Sequence, residues 1–90
     1  MIIVSQGKTA HINYDNIEAT YLLKKDDKIK INMRGNYDYT IGEYETMGRA
    51  KEVLQEILEH YDKLKTNIVY SISDKNYPIE IKSYYEMPED

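Results

Sequence analysis

Tyr37-Asp38-Tyr39-Thr40-Ile41-Gly42-Glu43-Tyr44, followed by Glu45-Thr46-Met47-Gly48-Arg49-Ala50-Lys51-Glu52-Val53-Leu54-Gln55-Glu56-Ile57-Leu58, decides the fold. Tyr37, Tyr39 and Ile41 alternate with Asp38 and Thr40, the two-residue period of a strand with one covered face. Gly42 ends that pattern. Ala50, Val53, Leu54, Ile57, Leu58, Tyr61 and Leu64 then recur at three- and four-residue spacing, which gathers them into one broad apolar stripe on a helix. Thr46 is a suitable N-cap, Glu43 and Glu45 sit near the positive end of the helix dipole, and Gly48 weakens the first turn. Met47, Ala50, Leu54, Ile57, Tyr61 and Leu64 also satisfy a heptad seam, but the run is short and Val53 and Leu58 widen it. The stripe is therefore expected to pack on a sheet. Arg49, Lys51, Glu52, Gln55, Glu56, Glu59, His60 and Lys63 occupy the opposite side, with Glu59 and Lys63 in the favourable i to i+4 orientation.

Upstream, Met1 to Val4 is a continuous apolar run that reads as a strand covered on both faces. Gln6-Gly7-Lys8 is a turn, Thr9 to Tyr14 a second strand, and Asp15-Asn16 a break. Ile17, Ala19, Tyr21 and Leu23 share one face of a third strand, with Leu22 interrupting the alternation. Lys25-Asp26-Asp27-Lys28 closes a hairpin onto Ile29 to Arg34, whose strict alternation implies an antiparallel sheet with one wet face. Downstream, Ile68 to Ser73 and Ile79 to Lys82 flank Asp74-Lys75-Asn76 as a terminal hairpin, with Pro78 confining the last strand to an edge. Glu86-Met87-Pro88-Glu89-Asp90 is an acidic tail expected to fray. The whole reads as a single α+β domain over residues 1–90: an antiparallel sheet of four N-terminal strands, one amphipathic helix packed on it, then a C-terminal hairpin.

Composition bounds the function. Ninety residues, 41% hydrophobic and 31% charged, allow one small foldable domain. Cysteine is absent, so disulfides and thiolate metal ligands are excluded and a cytoplasmic location is expected. The apolar start stops at Ser5, too short for a signal peptide or membrane anchor. A net charge of -4 with scattered basic residues disfavours duplex nucleic acid as a partner. Ten tyrosines stand beside no phenylalanine or tryptophan, and tyrosine serves both a core margin and a recognition surface.

No catalytic pattern survives its context. Gly7-Lys8-Thr9 matches the end of a phosphate loop, but Ile2 stands where the first glycine is needed and no strand can precede it, so a hairpin turn is the better reading. Ser5-Gln6-Gly7-Lys8 has serine-x-x-lysine spacing across a turn, whereas acyl-enzymes carry that pair on a helix. His11 and His60 lack zinc-ligand neighbours and read as surface residues. Asp26-Asp27 and Glu89-Asp90 fall in a turn and a tail, where a functional pKa shift has no cause. Neither a catalytic group nor a cofactor is expected. What remains is surface: Glu52, Glu56 and Glu59 as a solubilising face or a docking stripe for a basic partner; Tyr37 and Tyr39 as a roof between sheet and helix or a contact surface, with Arg34 across the turn; and Tyr84-Tyr85, one of which must face outward on a strand.

Met1-Ile2-Ile3-Val4-Ser5-Gln6, Ile12-Asn13-Tyr14-Asp15-Asn16-Ile17, Ile41-Gly42-Glu43-Tyr44-Glu45-Thr46, Arg49-Ala50-Lys51-Glu52-Val53-Leu54-Gln55-Glu56-Ile57 and Tyr85-Glu86-Met87-Pro88-Glu89 together resemble the short uncharacterised proteins encoded by phages and prophages of Gram-positive bacteria. Met47-Gly48 departs from that pattern, in which the first helical turn is usually acidic. The resemblance implies an accessory protein in an infected or lysogenic host. Joined to an acidic, tyrosine-rich chain, it leads to the expectation of a non-enzymatic protein that binds a host or defence protein. The alternatives are a sponge for a nucleotide signal, with Tyr37 or Tyr39 stacking on a base and Arg34 or Lys30 holding phosphate, and a small structural or regulatory phage protein. A small core and an exposed terminal edge strand further imply a homo-oligomer.

Overall fold

In the computed structural model the backbone is described for residues 1–73 and 83–90, and side chains for 1–65 and 83–90. Three short strands come from the two ends of the chain: β1 (Ile2–Val4), β2 (His11–Asn13) and β6 (Tyr84–Glu86). They form one sheet in the order β2-β1-β6, with β1 antiparallel to β2 and parallel to β6. A second sheet is the antiparallel meander β3 (Ala19–Lys25), β4 (Lys28–Arg34) and β5 (Asp38–Tyr44). The expected four-stranded N-terminal sheet is thus two three-stranded sheets. The chain divides because β2 runs into a 3-10 turn at Tyr14–Asn16, where the Asn13 side chain accepts from the Asp15 amide at 3.1 Å. That local bond offers the backbone a turn in place of a ladder.

The meander supplies the largest share of the core. Ile29, Ile31 and Met33 alternate inward on β4, as the sequence pattern requires. On β3 the register pairs Leu22 with Ile31 and Tyr21 with Asn32, so the residue that interrupts the alternation is the one packed against the core. Ala19, Tyr21 and Leu23 face the other way, a correction to the one-sided reading of this strand. Asp26 and Asp27 both have positive φ, 52° and 62°, the conformation of the two-residue turn whose twist matches paired strands. On β5, Ile31 faces Gly42 while Asn32 faces Thr40, which leaves Ile41 as an extra, bulged residue. A Cβ at Gly42 would lie 3.1 Å from both the Met87 methyl and the Tyr44 ring, so glycine is what lets these two side chains close over the bulge.

The helix α1 (Met47–Ser73) starts where expected, with the Thr46 hydroxyl accepting from the Arg49 amide at 3.1 Å. Ala50, Val53 and Ile57 are fully buried against the meander. It continues past Leu64, and the strand expected at Ile68 to Ser73 is helix instead. No glycine or proline lies between Lys65 and Ser73 to stop it, and Ile68 and Ile72 extend the three-and-four spacing of Tyr61 and Leu64. The second strand of that hairpin, Ile79 to Lys82, lies outside the described residues.

The tail is docked. Met87 is 3% exposed within the core, its amide donates to the Val4 carbonyl at 3.0 Å, and the Pro88 carbonyl accepts from the Tyr44 hydroxyl at 2.7 Å. These bonds and this burial replace the fraying expected of residues 86–90. The two sheets join through this tail, β1 and Ile41.

Candidate functional site

Gln6 holds the junction together. Its main-chain amide donates to the Ile41 carbonyl freed by the bulge, at 2.9 Å. Its side-chain Oε1 accepts from the Glu43 amide at 2.8 Å, and Nε2 donates to the Glu43 carbonyl at 2.9 Å. Nε2 also reaches the carbonyls of Glu89 at 2.8 Å and Pro88 at 3.3 Å. One side-chain amide therefore pairs with β5 as a strand peptide would and fastens the tail at the same time. Nothing in the sequence pattern marks this residue, because a polar side chain has taken the place of a strand.

Arg49 organises the adjoining helix face. Its guanidinium lies 3.2 Å from Glu52, 3.6 Å from Glu56 and 2.7 Å from the Asp90 main-chain oxygen. Glu56 in turn accepts from the Tyr85 hydroxyl at 2.7 Å, and the Tyr85 ring is 5.8 Å from that of His60. Burial first, and then the bond to ionised Glu56, push the Tyr85 phenol well above its usual range. Tyr44 is pushed up to about 12, chiefly by burial. Glu59 accepts from Gln55 at 3.3 Å. The fold thus brings Glu52, Glu56, Glu59 and Tyr85 onto one face, with Tyr84 pointing from the opposite side of β6. Arg49 could have been suspected from its three- and seven-residue spacing to Glu52 and Glu56, which places all three along one side of the helix.

A cleft of about 540 Å³ opens beside this network, lined by Gln6, Lys28, Glu43, Glu45, Arg49 and Glu89 among others. Lys28 lies 3.6 Å from Glu45, and Lys30 lies 3.4 Å from Glu43.

The remaining predicted residues lie elsewhere. Tyr37 and Tyr39 meet edge to face at 6.4 Å and line a cleft of about 230 Å³ with His11, Asn13, Asn16 and Asn36. Tyr37 is 71% exposed, so this pair does not roof the sheet against the helix. The turn at Gly35-Asn36 carries it clear of the helix-covered part of the meander. Arg34 is not beside it: alternation puts Arg34 on the outer face, 3.3 Å from Asp38 and 5.5 Å from the centre of the Tyr21 ring. Lys30 shares that outer face. At the far side of the helix, Tyr61 packs edge-on against Tyr14 at 5.0 Å and donates to Asp15, whose other oxygen meets the Met1 amino group at 3.0 Å. Those two bonds, the tyrosine's first, hold the Asp15 carboxyl below its usual range.

Among the described residues no cluster of three or more histidine, aspartate or glutamate side chains is arranged to hold a metal ion, and no helix is long and apolar enough to cross a membrane. Comparison with known protein families, curated proteins and solved structures returns no match.

Proposed function

We propose that this protein works by binding another protein through the acidic face built on Glu52, Glu56, Glu59 and Tyr85 and continued by the cleft at Gln6. The observation that carries the reading is the charge state of that face. Around the cleft, Lys28 and Arg49 stand among Glu43, Glu45, Glu89 and Asp90, and both cations are tied to carboxylates. The surplus is negative, and it surrounds a recess wide enough for a basic side chain. A half-buried tyrosine anchored at its hydroxyl gives the face a rigid aromatic element, as recognition surfaces use. With the resemblance to phage and prophage proteins, the partner class is a host or defence protein with a basic patch.

The test is a pull-down from lysates of Gram-positive hosts with and without defence systems, using wild type and the Glu52→Lys/Glu59→Lys variant as paired baits. A protein held by wild type, lost from the variant and released by about 0.5 M salt supports the proposal. An identical profile from both baits overturns it. Sequestration of a nucleotide is favoured by one observation, the Tyr37 and Tyr39 cleft with its ring of asparagines, although Arg34 and Lys30 lie on the other face of the sheet. Ultraviolet-absorbing nucleotide in the supernatant of the heated bait would shift the assignment there.

A further inference from the structure

The two long edges of the meander are treated differently. The β5 edge is covered: Ile41 is bulged, its carbonyl is taken by the Gln6 amide, and both main-chain groups of Glu43 are taken by the Gln6 side chain. The edges of the other sheet belong to β2 and β6, each of three residues. The β3 edge is seven residues long, pairs with β4 in unbroken register, and contains neither proline nor glycine. Among the described residues no strand pairs with its outer side. Natural sheets blunt such an edge or use it.

Its side chains point to use. Leu23 is 43% exposed on the outer face of the strand, and Leu58 on the helix is 48% exposed on the other side. A groove of about 240 Å³ runs between the helix and the start of this edge, lined by Ile17, Glu18, Ala19, Thr20, Leu54 and Leu58 among others. Glu18 lies at one end of the edge and Lys24 at the other, both exposed and without an ion pair among the described residues. A second copy laid antiparallel, with Tyr21 opposite its own counterpart, sets Glu18 against Lys24 twice and Ala19 against Leu23 twice. Glu18, Thr20, Leu22 and Lys24 share the helix side of the strand, so this register keeps both helices on one face of a continuous six-stranded sheet. Leu54 and Leu58 of each copy then flank the seam. Moving the register by two residues to centre on Thr20 or Leu22 loses the Glu18 and Lys24 pairing.

We infer that a second copy of this chain is the partner of the β3 edge, forming a two-fold dimer through antiparallel pairing centred on Tyr21. The inference stands on β3 and is independent of the acidic face, which lies on the Gln6 side of the molecule. It also moves the expected oligomer contact from the terminal strand to β3.

Light scattering and sedimentation at about 20 to 200 µM test it. Wild type runs as a dimer, and Glu18→Lys or Lys24→Glu alone each weakens dimerisation by at least about tenfold, because two attractive cross-strand pairs become repulsive. Mixing the two single variants restores a dimer, since each then offers the charge the other lacks, and so does the double variant Glu18→Lys/Lys24→Glu. Both positions are exposed, and circular dichroism confirms that each variant is folded. A monomeric wild type at 200 µM, or single variants that dimerise as wild type does, overturns the inference.

Discussion

Gln6 and Tyr44 reach the same short segment, and each does so with a single polar group. The Gln6 amide nitrogen faces the carbonyls of Glu43, Pro88 and Glu89. In Gln6→Glu an acceptor-only carboxylate would face the same oxygens, so the change is more than the loss of a bond. We expect Gln6→Ala to cost about 1 to 2 kcal/mol and Gln6→Glu about 2 to 3 kcal/mol at neutral pH, read by urea unfolding. Equal costs would show that the nitrogen's partners do not matter. Tyr44 gives a pH signature. Its folded pKa is raised from 10.0 to about 12, so the unfolded chain loses this proton first as pH rises. Its contribution is complete below pH 10 and is lost as pH rises toward 12. Tyr44→Phe pays for the lost Pro88 bond at neutral pH but should show a shallower alkaline decline than wild type. Parallel curves from pH 9 to 12 would contradict the assignment.

At the scale of elements, what was legible follows from periodicity and what was not follows from competition. The helix start was plain because Thr46 and the stripe from Ala50 agree. Its end was not, since Ile68, Val69 and Ile72 satisfy both a β-branched strand and a continued helical stripe, and neither glycine nor proline decides between them. In β3 the three consecutive residues Tyr21, Leu22 and Leu23 offer an apolar side chain to either face. Periodicity alone put Tyr21 and Leu23 inside; the register against Ile31 put Leu22 there. That reversal is what leaves Leu23 on the exposed side and gives the β3 edge its apolar character. The bulge at Ile41 was hidden for a related reason: one extra residue shifts the phase of the whole strand, so Tyr39 and Tyr44 share the helix side although their numbers differ by five.

At the scale of the molecule, the unforeseen step is the return of the chain's last residues to its first strand. A parallel pairing of β6 with β1 spans more than 80 residues, and no local pattern reports such a contact. The candidate site depends on it, because Tyr85, Glu89 and Asp90 reach Glu56, the cleft and Arg49 only through that return. Glu52, Glu56 and Glu59 were legible as a face and Tyr85 as a candidate contact residue; that Tyr85 and Arg49 join that face was not. Met87 tests the arrangement directly. A small domain of this size has a total stability of about 5 to 10 kcal/mol, and Met87 is 3% exposed between Gly42 and the helix-covered core. Met87→Ala should therefore cost about 2 to 4 kcal/mol through lost burial and the cavity left behind, lowering Tm by about 10 to 20 °C. Met47→Ala is the matched control, a methionine 40% exposed at the first helical turn, and should change stability by less than about 0.5 kcal/mol. Thermal melts at one protein concentration compare the two. A frayed tail would make both variants alike, whereas a tail that closes the core separates them widely and makes the acidic face conditional on the same closure.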